Sequence, residues 1–63
     1  MHLNIKKDGH SRGKIQLVQD SDKQWVAFTK SSRVYRHMDG WPLDDVKTFL
    51  FHQGYTCVLV YRT

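Results

Sequence analysis

The chain has no glutamate, a single cysteine, a single proline and no long apolar run, and each scarcity excludes something. With Cys57 alone no internal disulfide can form, although small secreted domains of this length usually depend on several. The longest apolar run, Cys57–Tyr61, falls far short of the ~20 residues that a membrane helix needs. No segment has the charged, apolar and small-residue succession of a secretory signal. The expectation is a cytoplasmic protein without membrane association. All six acids are Asp, a residue that favours turns and helix starts over helix interiors. Helix is therefore confined to one region.

What is present is enough for one core. Sixty-three residues leave room for one domain, residues 1–63. A chain this short buries only about 60% of its unfolded surface, so its stability margin is narrow. Eight aromatic residues (three Phe, two Trp, three Tyr) supply much of the apolar area. The narrow margin leaves a homodimer, or folding helped by a partner, open to it. Ten Lys and Arg against six Asp give a net charge of +4, which favours an anionic partner such as nucleic acid, an acidic protein or a lipid surface.

Along the chain, Leu3 and Ile5 alternate with polar neighbours and open a short strand. Lys7–Gly13 reads as a polar loop, with Asp8-Gly9 a strong turn dipeptide. Lys14–Gln19 alternates with period two, Ile15 and Leu17 facing inward. Asp20–Lys23 is a turn of residues that bond their own backbone. Gln24–Lys30, rich in aromatic and branched types, is the hairpin partner. After Ser31-Ser32, Arg33–His37 reads as a further strand.

Pro42, Asp44 and Asp45 then mark a helix start, with Pro42 at the first helical position. Leu43, Val46 and Leu50 form its buried stripe, and Gly54 ends it. Tyr55–Tyr61 is apolar on both faces, which predicts an interior strand. The expected fold is α+β: a small two-layer domain in the order β-β-β-(β)-α-β. One helix packs on one face of a mostly antiparallel sheet of four to five strands.

The chemistry-bearing residues do not assemble a catalytic set. Gly9–Lys14 lacks the spacing, the hydroxyl after the lysine and the following helix of a phosphate-binding loop. His2, His10, His37 and His52 are not spaced to share a helical face, and none is near Cys57, so neither metal nor cofactor is implied. Cys57 lies among Val58, Leu59 and Val60, where burial keeps a thiol protonated and inert. Asp44 and Asp45, adjacent on a helix, diverge by about 100° and serve its start. No enzyme is expected.

A basic and aromatic set remains: Lys14, Lys30, Arg33, Tyr35 and Arg36, with Arg62 at the chain end. In a strand, Arg33 and Tyr35 share one side and Val34 and Arg36 the other. Such groups stack on bases and pair with phosphates. They equally serve as a solubilising outer face, with Tyr35 in the core. Trp41, just before Pro42, is expected to fix the start of the helix to the sheet.

Two likenesses lie in element order. Hairpin strands, a helix opening with Leu43-Asp44-Asp45 and Gly54-Tyr55 leading into a last strand resemble small phage-encoded inhibitors of bacterial RNA polymerase. Three strands plus a helix, with Trp25 in a strand and basic residues after it, are similar to AP2-like DNA-binding domains of phage integrases. The first implies a protein partner and the second a nucleic acid. The final strand departs from the second pattern, and no residue is carried across from either. The reading is a non-catalytic binding or regulatory protein of bacterial or phage type that docks on a macromolecular protein target. The alternative is a nucleic-acid-binding domain that uses a basic and aromatic sheet surface.

Overall fold

The structure, a computed structural model, describes residues 1–61. Its elements are β1 (His2–Lys7), β2 (His10–Gln19), β3 (Trp25–Phe28), a 3-10 turn (Arg36–Met38), α1 (Leu43–His52) and β4 (Thr56–Val60). The strands form one antiparallel sheet in the order β3-β2-β1-β4, with α1 on one face. The fold is the expected small α+β domain. No described helix is long and apolar enough to cross a membrane.

Two local devices set the sheet. Asp8 and Gly9 both take positive φ, 53° and 78°, the geometry of a two-residue hairpin turn whose twist matches its strands. Because two residues suffice, β2 starts at His10 and most of the expected Lys7–Gly13 loop is strand. Leu3 faces Ile15 across β1 and β2, and Leu59 across β1 and β4. Between Asn4 and Lys6 the β1–β2 pairing shifts, so that Arg12 and Gly13 together oppose Ile5 as a bulge. At the second turn the Asp20 carboxylate accepts the N–H groups of Asp22 and Gln24, each at 2.9 Å, which is why a polar tetrapeptide holds there.

The core lies between one sheet face and a second layer. Leu3, Ile5, Ile15, Leu17 and Ala27 come from the sheet, Val46 and Leu50 from α1, and Tyr35 and Met38 from the segment before it. Each large apolar side chain so buried contributes about 1.5–3 kcal/mol. Leu43 is half-buried at the margin. Pro42 caps α1 in extended backbone (ψ 150°) instead of occupying the first helical position. At the other end Gly54, at φ 86°, closes the helix as only a residue without Cβ does cheaply. Its N–H bonds the Phe51 carbonyl at 3.0 Å and that of Tyr55 bonds Leu50 at 2.9 Å, the paired closure of a Schellman motif.

Two further expectations are corrected. Arg33–His37 is a turn running into the 3-10 element, so the period-two division of Arg33, Val34, Tyr35 and Arg36 does not hold. The backbone there is satisfied locally. Ser32 N–H bonds Thr29 C=O and Met38 N–H bonds Tyr35 C=O, both at 3.0 Å, while Tyr35 N–H bonds Ser32 Oγ at 3.1 Å. The buried pair Tyr35 and Met38 is three residues apart, the repeat of a 3-10 turn.

The second correction is β4, expected in the sheet interior and found at an edge, antiparallel to β1. α1 contacts both β3 and β4, so it carries the chain across the sheet to the far side of β1. The apolar residues on both faces of β4 do not mark two covered faces. Val58, on the face away from α1, is 46% exposed.

Candidate functional site

The two sheet edges are finished in opposite ways. Alongside β3 runs Gly40–Pro42, bridged to it at Val26 and Pro42. Ala27 donates its N–H to the Trp41 carbonyl at 2.9 Å and accepts that of Gly40 at 2.8 Å. On its far side β4 has no strand neighbour among the described residues. An antiparallel ladder turns alternate residues toward each neighbour, so every second residue of Thr56–Val60 presents N–H and C=O groups outward. Thr-Cys-Val-Leu-Val contains no proline and no charge, and its pairing with β1 runs without a register shift. It thus lacks the usual devices that discourage edge pairing.

Beside this edge lies a groove of about 550 Å³ between α1 and β4, lined by Lys47, Thr48, Phe51, Gly54, Tyr55, Thr56 and Cys57. The helix builds its wall by periodicity. Val46 and Leu50 point into the core, so Lys47 and Phe51, one turn apart, share the flank beside β4. Phe51 is 75% exposed. An exposed aromatic beside an unpaired strand offers side-chain and backbone contact to the same visitor.

The charged residue of the groove lining is basic, Lys47, and two further lysines lie near the start of β4. Lys7, at the end of β1, holds its ammonium 5.0 Å from the centre of the Tyr55 ring, a cation–π distance. Lys6 is the register partner of Thr56, and Lys47 stands on the helix wall. None of the seven lining residues is acidic. Burial pushes the Cys57 thiol above its ordinary value, with the Lys47 charge pulling weakly the other way. The thiol is thus kept in the form that packs rather than attacks.

The sequence-derived residues are placed as follows. Lys14, Lys30, Arg33 and Arg36 are exposed, while Arg62 lies outside the described residues. Tyr35 is 7% exposed. Its hydroxyl donates to the Arg12 carbonyl at 2.8 Å, a group within the β2 bulge, and its ring sits 3.7 Å from where a Cβ on Gly13 would be. Tyr35 is a core residue tying its loop to β2, not a platform for bases. Lys14 is on the outer sheet face, opposite Asn4, whereas Lys30, Arg33 and Arg36 belong to the loop. They do not form one sheet surface.

Phe51, Lys47, Tyr55 and Thr56 were not singled out from the sequence. The signal was there in Phe51, a large apolar side chain off the Leu43/Val46/Leu50 stripe of a short helix.

Other features are structural. His37, Trp41 and Phe49 meet edge to face, with centroids 5.3–5.9 Å apart, and join the 3-10 turn to α1, while the tie from Trp41 to the sheet is made by its backbone carbonyl, at Ala27. Among the described residues no three His, Cys, Asp or Glu side chains are grouped so as to hold a metal ion. Comparison of the chain with protein-family models, curated proteins and solved structures finds no match.

Proposed function

We propose that this chain is a small non-catalytic binding protein of the cytoplasm, of bacterial or phage type, that docks on a protein target through the open edge of β4. The observation that carries the reading is the contrast at one strand. Among the described residues one side of Thr56–Val60 is unpaired and uncharged, and the Phe51 groove lies beside the strand. An extended segment of a partner laid along β4 satisfies those backbone groups, while alternate side chains enter the groove.

The nucleic-acid alternative has lost two supports. Tyr35, its stacking ring, is buried, and the basic residues around it are on a loop. The exposed cations remain as charge without an assembled aromatic platform.

The test is selection from a displayed library of random peptides on the immobilised protein, followed by amide exchange on the complexes. Recovered peptides are expected to protect amides of Thr56–Val60 and to lose retention when Phe51→Ala is introduced. Because Phe51 is largely exposed, that substitution should change stability by no more than about 0.5 kcal/mol. Peptides that protect another surface, or no binders at all beside retention of DNA or RNA that falls steeply with salt, would sink the reading.

A further inference from the structure

We infer that the segment received by β4 is acidic: an extended stretch of a partner protein in which apolar residues alternate with Asp or Glu. This rests on the docking reading above and adds the chemistry of the occupant. Three lysines surround the part of β4 nearest the groove. Lys47 is on the helix wall, Lys7 is over Tyr55, and Lys6 lies opposite Thr56. The groove lining offers no carboxylate to answer them. Outside the lining, Asp8 lies in the exposed hairpin turn after Lys7, and Asp44 stands one turn before Lys47 on α1, at the helix end away from Gly54.

An added strand turns successive side chains to opposite faces of the sheet. On the groove side it meets Phe51, Tyr55 and Cys57 with Lys47 above them. On the outer side it meets Val58 and Thr56 with Lys6 next in the row. An alternating strand therefore sets its carboxylates on the groove face, toward Lys47 and Lys7, and its apolar residues on the outer face, against Val58 and Thr56.

A second copy of this chain answers the edge less well. Two β4 strands paired antiparallel about Val58 set Thr56 of one against Val60 of the other. The lysine end of each copy would then meet Val60 and Tyr61, which carry no negative charge, and each chain brings a further net charge of +4. The observations favour an acidic strand over self-pairing.

The experiment uses the whole chain and three labelled synthetic peptides of one length. One alternates apolar residues with Glu, one replaces each Glu with Lys, and one replaces each with Ser. Affinity is read by fluorescence anisotropy, position by ¹⁵N amide shifts, and self-association of the free chain by sedimentation. The Glu peptide is expected to bind about tenfold tighter than the Ser peptide, the sum of a few exposed charge pairs, with shifts over Thr56–Val60. The Lys peptide is expected to bind weakest. Lys47→Glu should erase the Glu-over-Ser preference and raise the affinity of the Lys peptide. Equal binding of all three at β4 overturns the acidic preference and leaves the docking reading standing. Peptide-induced shifts confined to other surfaces overturn both. A concentration-dependent dimer abolished by Val58→Lys overturns the acidic occupant in favour of a second copy.

Discussion

Along β3 the sheet meets the chain's own Gly40–Pro42 segment, which supplies backbone partners, whereas along β4 the described chain supplies none. The segment that closes the first edge is expensive to order. It follows a loop whose residues must be held by Tyr35, Met38 and Asp39 before Gly40 can reach Ala27. Burying those groups offsets the ordering cost. At β4 the analogous position is left to whatever arrives, with an aromatic wall and cations in place. The contrast teaches that edge exposure in this fold is selective: the described residues protect one edge strand and leave the other unpaired.

The strongest way to break the contrast is to loosen the closed edge from beneath. Met38 is fully buried between the sheet and α1, and Met38→Ala should cost about 2–5 kcal/mol. In a domain of this size that is most of the total stability. Urea denaturation should show the loss, and amide exchange should show Ala27 opening along with the core. If the substitution costs less than about 1 kcal/mol, well below the range for a buried Met, the loop is not anchored there and the account of the closed edge fails.

A smaller and more local effect is expected at Asp39, whose carboxylate accepts the Thr29 N–H at 2.8 Å. Asp39→Ala leaves a buried-side donor without its charged partner, at a cost of about 1–3 kcal/mol. Thr29 is already an awkward position, since its buried hydroxyl has no hydrogen-bond partner among the described residues. The amides of Ala27 and Thr29 should lose exchange protection before those of Leu3 or Ile15. A uniform loss across the sheet would mean that Asp39 supports the whole fold rather than this edge.

How far the sequence reveals this contrast differs between the two edges. Strands β1 and β3, the Lys14–Gln19 part of β2, the helix and the inward set Leu3, Ile5, Ile15, Leu17, Val46 and Leu50 follow from alternation, turn dipeptides and helical spacing, because one covered face imposes those periods. The loop of residues 29–39 misleads because Val34 and Tyr35 have strand-favouring side chains while the backbone is decided by turn bonds from Ser32, Thr29 and Asp39. The edge position of β4 is hidden for a different reason. An apolar strand covered on both faces and an apolar strand left open for pairing have the same composition, and only the path of α1 across the sheet separates them. The site inherits that ambiguity: Lys14, Lys30, Arg33 and Arg36 stand out as charges, whereas Phe51 and Lys47 matter through where the helix places them.

The least costly perturbation concerns the hydrogen bond from Tyr35 to the β2 bulge. At neutral pH Tyr35→Phe removes the donor to the Arg12 carbonyl, which can turn to water at its exposed end, so the cost should be about 0.5–1.5 kcal/mol. The pH dependence gives a sharper readout. Burial, with smaller contributions from Tyr55 and Cys57, raises the Tyr35 hydroxyl above its ordinary value of 10.0, while Arg12 opposes the shift. The folded chain therefore keeps this proton where the unfolded chain releases it, and stability falls as pH rises past about 10. Cys57, likewise raised from 9.0, adds a loss that begins about one unit lower. In Cys57→Ala protein, where only the tyrosine contribution remains, the Tm advantage over the Cys57→Ala/Tyr35→Phe double variant should shrink steadily above pH ~10 as the bond loses its proton. Parallel Tm curves for the two proteins through that range would show that the hydroxyl is not held at the bulge, and the closed edge would lose its link to β2.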